Sequence, residues 1–480
     1  MADRRKPKSA TAPSQRQKSA DPARETAFRT LREVSNGAYA NLELPHQLRR
    51  SRLKGRDAAF ATELTYGTLR MQGLYDAIIA SASQRSVTDL DPAVVDVLRL
   101  GAHQILDMRV PDHAAVSATV ALARQHIGHG SAGLVNAVLR RISERTREEW
   151  IELVTADAKD DLSALAITHS HPLWVVRALR AGLMSTQGLD SAAALVDLEK
   201  LLSAHNNPGP LTLTARPGLG AEDGLKLAGA TPASIASTAW SLESGDPGLI
   251  PSIRDGRASV QDAGSQLLAL ALAAAPIEGR DERWLDMCAG PGGKAGLLAA
   301  LALERDAELV ANEVSQPRAD LVLNTVEAAQ KAGARVNIQI GDGRDIGNDE
   351  PGAYDRVLVD APCTGLGALR RRPDARWRRS PSDLGELSPL QRELLHSALD
   401  AVRPGGIVAY ATCSPHVVET ELVVSDVIKK YGDAEVFDVR PYLVDRDGEP
   451  MSDLGVGQGA QMWTHLHGTD GMYVALIRKL

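Results

Sequence analysis

Apolar residues recur every three to four positions over most of the first third of the chain. "ETAFRTLREV", "AAFATELTYGTLRMQGLYDAII", "PAVVDVLRLGAHQIL" and "AAVSATVALARQHI" place them at i, i+3 and i+4, and "SAGLVNAVLRRISER" closes the set as a basic amphipathic helix. The spacing predicts a compact all-α domain over residues 23–150. Residues 1–22 are polar and without period, so a disordered basic tail is expected there.

The pattern weakens over 151–250. "HSHPLWVVRALR" reads as a short helix, and "GPLTLTARPG" alternates between Pro and Gly boundaries as a strand does. A small α+β linker region is expected. From about residue 251 the period changes again. The apolar runs "RWLDM", "ELVANEV", "VNIQIGD", "DRVLVDA", "GIVAYAT" and "MYVALIRK" read as strands. Helical stretches such as "KAGLLAALAL" and "LSPLQRELLHSALDAV" lie between them. Near-continuous apolar strands alternating with helices predict a mostly parallel sheet covered on both faces, over 251–480.

Composition narrows the class. The 480 residues are 44% apolar and 24% charged, as in soluble globular proteins. No apolar run reaches the ~20 residues of a membrane span, so no membrane partner is expected. The N-terminus lacks the apolar core of a secretory signal, and three scattered cysteines make no disulfide framework; a cytoplasmic location is expected. No Cys or His spacing suits a metal, and a monomer is assumed.

Net charge is −7, yet it is uneven. Residues 1–20 carry six basic residues against Asp3, and "RRRPDARWRR" (370–379) has six arginines against Asp374. Local basic patches are what phosphate contact requires. The second patch, interleaved with Trp377, is expected to touch nucleic acid.

Candidate chemistry gathers at the ends of the predicted strands. "DMCAGPGGKAG" joins the first of them to a helix through a glycine-rich turn. A phosphate-binding P-loop is excluded, because Cys288 replaces its first glycine and Ala295 its hydroxyl. A dinucleotide fingerprint is met formally by Gly290, Gly292 and Ala295. However, Asp286, Glu313, Asp342 and Asp360 fall at or just beyond successive strand ends. Four carboxylates suit ribose hydroxyls, an amine and an ammonium, and repel a pyrophosphate. S-adenosylmethionine therefore fits better than a nicotinamide dinucleotide.

Two of the cysteines follow adjacent strands, Cys363 in "VLVDAPCTG" and Cys413 in "AYATCSP". Cys288 reads as a small buried hydrophobe. On position alone Cys363 reads as a nucleophile. A thiol beside a methyl donor suits cytosine, whose C5 is a poor nucleophile. Addition of a thiolate to C6 turns the ring into an enamine-like carbanion equivalent that C5 uses to attack a methyl group. A carboxylate near N3, as a protonated acid or a hydrogen-bond partner, would help accept the charge that develops.

"DMCAGPGGK", "DAPCTGLGALRRRPDARW" and "YATCSPHVVETE" resemble the signature motifs of the RNA cytosine-5 methyltransferases. "ASVQDAGSQLLALAL" and "MWTHLHGTDGMYVALIRK" resemble their flanking motifs, and the helical domain resembles the RNA-binding NusB fold. The resemblance spans about residues 23–480, in the domain order of the bacterial enzymes acting on 16S ribosomal RNA. It implies a NusB-like domain (23–150), a linker region (151–250) and a Rossmann-like class I methyltransferase domain (251–480). It makes Cys413 the nucleophile and gives Cys363 the breakdown of the adduct. It assigns S-adenosylmethionine to Cys288, Ala289, Gly290, Pro291, Gly292, Gly293, Lys294, Glu313, Asp342 and Asp360, with Asp360 also facing the base. Glu313 stands where the family usually has Asp. A transfer RNA target and a non-catalytic NusB-like antitermination factor are the alternatives, and the retention of both thiols disfavours the second.

Overall fold

The computed structural model describes residues 20–480; most of the predicted tail lies outside the described residues. The chain divides into two compact units, one ending at Pro172 and one running from Leu173 to Leu480.

The first unit is all helical, as the periodicity predicts. Its helices begin where the sequence supplies caps. Asp21 accepts from the Arg24 amide at 3.0 Å with Pro22 in the first turn, and Asp91 accepts from Ala93 at 2.8 Å before Pro92. Thr146 and Glu149 form a reciprocal capping box. Leu31, Leu64, Leu74, Tyr75, Ile78, Leu98, Val135 and Leu139 share one buried core. The stretch predicted as one helix over 58–79 is two, Gly55–Arg70 and Gln72–Ser83, hinged at Met71 (φ −101°, ψ 14°). A single straight helix over 55–83 would run about 43 Å, too long for both ends to reach one small core. The helix Ala40–Ser51, with Pro45 inside it, has no counterpart among the predicted segments. Two further helices, Arg147–Thr155 and Asp161–Thr168, belong to the same unit.

The second unit opens with two helices, Leu173–Gln187 and Ser191–Asn206, and a small antiparallel sheet. Its strands are β1 (Leu211–Ala215), β2 (Thr231–Pro232), β3 (Ala239–Leu242) and β4 (Ala258–Val260), in the order β2-β3-β1-β4. Only β1 was predicted, because the other three are too short to show alternation.

The large sheet contains β5 (Arg283–Asp286), β6 (Glu308–Glu313), β7 (Arg335–Ile340), β8 (Tyr354–Asp360), β9 (Val402–Thr412), β10 (Ala434–Phe437), β11 (Ala460–Gln461) and β12 (Tyr473–Lys479). The order is β10-β12-β9-β8-β5-β6-β7, with β11 paired to β12. Strands β5 to β9 are parallel; β12 runs antiparallel to β9, and β10 and β11 antiparallel to β12. Alternate residues of β8 and β9 face different layers. Leu358, Ala409 and Ala411 pack with Leu267 and Leu297 on one side. Val357, Val359, Val408 and Tyr410 pack with Leu395, Ala398, Val423 and Val427 on the other. Burial on both faces explains the continuous apolar runs. Strand order reverses between β5 and β8, which places a crevice beyond their carboxyl ends.

Candidate active site

The four predicted carboxylates stand at that edge of the sheet. Asp286 ends β5, Glu313 ends β6, Asp360 ends β8, and Asp342 lies two residues past β7. Asn312 ties three of these ends together, its amide donating to the carbonyls of Met287 (3.0 Å) and Gly341 (3.1 Å).

The glycine-rich turn wraps over Glu313. Gly290 N–H donates to Glu313 Oε2 at 3.0 Å, and Ser315 N–H to Oε1 at 3.0 Å. A Cβ on residue 290 would fall 2.2 Å from Oε2, so the approach requires glycine. Helix Gly293–Glu304 starts directly after the turn, and no side chain caps its first amides. Asp286 is fully buried, and among the described residues no side chain hydrogen-bonds to its oxygens; the Cys288 amide is the backbone group that faces it. Burial first, and then the Asp360 charge, push its carboxyl up to about 7. The Asp286 carboxyl, the uncapped amides and the Glu313 carboxylate, which Gly290, Ser315 and Arg318 (3.3 Å) hold in place, form a donor and acceptor set that fits S-adenosylmethionine, with its ribose hydroxyls, ammonium and sulfonium. Asp342 is less available: its oxygens hold the Arg344 side chain, which keeps the carboxyl below its ordinary range. Cys288 packs against the β5 side of the core, and burial with the nearby carboxylates drives its thiol upward. Its part in the turn is therefore its backbone.

Lys294 reaches from the same helix to Asp360, Nζ to Oδ2 at 2.9 Å. Burial works against its charge, but Asp360 outweighs that and holds the ammonium above its ordinary range. Beyond Asp360, Cys363 and Cys413 lie with sulfurs 3.3 Å apart. The thiol–thiol hydrogen bond lowers Cys413; Lys294 and Arg372 add to this against burial and Asp360. The same bond raises Cys363, together with burial and the charges of Cys413, Glu419 and Asp360. The bond between the sulfurs thus favours the thiolate form at Cys413 and the thiol form at Cys363.

Glu419 was not singled out by the sequence, although it lies inside "YATCSPHVVETE". Its carboxylate is fully buried and bonds to the residues that follow each cysteine, Thr364 and Ser414. Gly367 joins a third segment to the site. Its N–H donates to Cys413 O at 2.9 Å, and its carbonyl accepts from Gly471 N–H at 2.8 Å. A Cβ at residue 367 would lie 1.8 Å from Gly471 O. The C-terminal "GTDGMYVAL" is therefore part of the site's frame.

The arginine patch departs from expectation. Arg376 is fully buried and donates to Asn206 Oδ1 (2.8 Å) and the His205 carbonyl (2.9 Å). Arg371 pairs with Asp470, Arg378 with Asp374, and Arg379 with Asp383 at 3.6 Å. Arg370 faces Asp262 at 3.6 Å. Five of the six arginines thus serve internal contacts. Arg372 is exposed, makes no ion pair among the described residues, and its positive charge acts on Cys413.

Known proteins resemble both parts of the chain. The family model described as 16S rRNA methyltransferase RsmB/F matches residues 271–478, and that of the NusB family matches residues 21–144. The chain is 47% identical to a putative methyltransferase, Rv1407, of Mycobacterium tuberculosis, covering 97% of this chain and 98% of the relative. It is 33% identical to ribosomal RNA small subunit methyltransferase B of Thermus thermophilus, covering 95% and 98%. Among solved structures, the crystal structure of PH0851 superposes with a TM-score of 0.76 at 21% identity, over 96% of this chain and 100% of that one, a likeness of fold.

Proposed function

The chain belongs to the RsmB/F family of S-adenosylmethionine-dependent ribosomal RNA methyltransferases, and from that premise we propose that it methylates carbon 5 of a cytosine in 16S ribosomal RNA through a covalent Cys413 adduct. The observation that carries this reading is the 3.3 Å thiol pair whose members are driven in opposite directions.

Bound S-adenosylmethionine supplies an electrophilic methyl group; Gly290–Lys294 and Glu313 would hold it, with Asp286 and Asp342 beside them. The chain supplies the chemistry on the base. Cys413 Sγ adds to C6, and electron density moves to C5 and N3. Asp360, fixed by Lys294 at 2.9 Å, meets the charge at N3 by passing it a proton, which returns when the ring is restored. Once C5 carries the methyl group, solvent water takes its proton, the C–H electrons form the C5–C6 double bond, the C6–S electrons leave on sulfur and the aromatic ring returns. Cys363, a proton carrier at 3.3 Å, assists departure of the Cys413 sulfur.

The helical residues 23–150 are proposed to hold the RNA, 151–250 to link, and 251–480 to catalyse, in a cytoplasmic monomer. None of the described helices is long and apolar enough to cross a membrane. Two measurements test the function. Bisulfite mapping of RNA from a deletion strain should show one 5-methylcytosine lost from 16S ribosomal RNA; a loss confined to transfer RNA would move the target there. RNA carrying 5-fluorocytosine should remain attached to the protein, because fluorine cannot leave as the proton does. Absence of that adduct under turnover conditions would remove the covalent route.

A further inference from the structure

A hydroxyl residue follows each catalytic thiol, Thr364 after Cys363 and Ser414 after Cys413. Both turn inward onto Glu419. Its Oε1 accepts Thr364 N–H at 2.8 Å and the Gln391 amide at 3.2 Å. Its Oε2 accepts the Ser414 hydroxyl at 2.6 Å and the Thr364 hydroxyl. Gln391 also donates to the Pro362 carbonyl at 2.8 Å, and Tyr410 O–H donates to the Glu419 carbonyl at 2.8 Å. One side chain therefore meets the loop after β8, the loop after β9 and the helix Leu384–Ala401.

A charge is an expensive way to make such a clamp. Glu419 is 0% exposed and takes part in no ion pair among the described residues. A buried carboxylate held only by neutral donors carries a large desolvation cost that an amide would avoid. The charge acts on the Cys363 thiol, and also on the Tyr410 hydroxyl and the His416 ring beside it. Of the other charged groups near the sulfurs, Lys294, Arg371 and Arg372 act on Cys413 and Asp360 acts on both.

We propose that Glu419 is the positioning residue that sets the two thiols against each other, fixing both cysteine loops to one anchor and keeping Cys363 as the hydrogen donor to Cys413. This rests on the reading of Cys413 as nucleophile. Tethering alone requires an acceptor at that point. Holding the proton on Cys363 requires the negative charge as well.

The test uses full-length protein with Glu419→Gln, Glu419→Asp, Thr364→Val, Ser414→Ala and Cys413→Ala. Glu419→Gln should lower kcat by about 30-fold, the loss of a buried charge-assisted contact, with KM for cofactor and RNA within about 3-fold. Alkylation of the Cys363–Cys413 pair, mapped by mass spectrometry between about pH 6 and 9, should shift its midpoint in this variant. Glu419→Asp, which retains the charge, should recover part of kcat and the wild-type alkylation midpoint. Ser414→Ala should slow single-turnover methyl transfer, and Thr364→Val should let the RNA adduct accumulate. Wild-type kcat and alkylation in Glu419→Gln, beside an inactive Cys413→Ala, overturn the clamp and leave the nucleophile in place. An active Cys413→Ala overturns the reading beneath it. If Glu419→Gln does not fold, wild-type rates in both hydroxyl variants overturn the proposal.

Discussion

The sulfurs of Cys363 and Cys413 lie 3.3 Å apart at the ends of the neighbouring strands β8 and β9, and the hydrogen bond between them lowers one thiol while raising the other. That asymmetry supports the separate roles proposed for the two cysteines, and separate variants test them.

Cys413→Ala should reduce methyl transfer by at least about 1,000-fold, with cofactor affinity unchanged, because only the nucleophile is removed. Single-turnover transfer from radiolabelled cofactor and equilibrium binding measure the two quantities. In the wild type, the acid limb of kcat should fall below the ordinary thiol range, since the thiolate of Cys413 survives to lower pH. An acid limb at or above pH about 9 would contradict the lowered thiol.

Cys363→Ala should leave adduct formation possible and impair its breakdown. Protein–RNA conjugates should then persist through denaturing electrophoresis. Turnover without a conjugate, at the wild-type rate, would take the release role from Cys363.

Gly290→Ala should cost about 10-fold or more in cofactor affinity, since its Cβ would fall 2.2 Å from Glu313 Oε2 and push the turn off its carboxylate. Calorimetric titration with S-adenosylmethionine checks this without RNA. Unchanged affinity would show that the turn does not grip the cofactor.

Asp286 predicts a dependence of stability on pH. Its folded value of about 7 lies above the unfolded carboxylate value near 4. Between those limits the folded protein holds a proton that the unfolded chain releases, so stability falls as pH rises through the window and the full penalty is present above 7. In cofactor-free protein, Asp286→Asn should stabilise by about 1–3 kcal/mol at pH 8, a gain that shrinks toward pH 4. Melting curves at the two pH values measure it, and an equal effect at both would contradict a raised carboxyl.

The arginines separate by burial. Arg376→Ala should lower stability by about 2–4 kcal/mol through its lost contacts to Asn206 and His205, leaving the salt dependence of RNA binding unchanged. Arg372→Ala should leave stability unchanged and reduce the slope of log affinity against log salt by about 1, as loss of one phosphate contact does. An unchanged slope in Arg372→Ala would remove this patch from the RNA interface.

The sequence by itself determined the elements and where their chemistry lies. Helical period, alternation and continuous apolar runs are local properties, so the helices of the first unit and the main parallel strands could be located without a fold. Carboxylates and thiols just past strand ends were legible for the same reason, because a residue's place relative to its own strand is fixed by a few neighbours. Tertiary structure decided what depends on meetings between distant segments. The antiparallel course of β12 follows from its pairing with β9, some sixty residues earlier in the chain. All six arginines of 370–379 read as a phosphate surface, yet buried or nearby acids and carbonyls hold five of them. Glu419 looked like one acid among many until four donors from three segments converged on it. Charge in a sequence states what a side chain can do; which partner it meets, and how far from water, decides what it does.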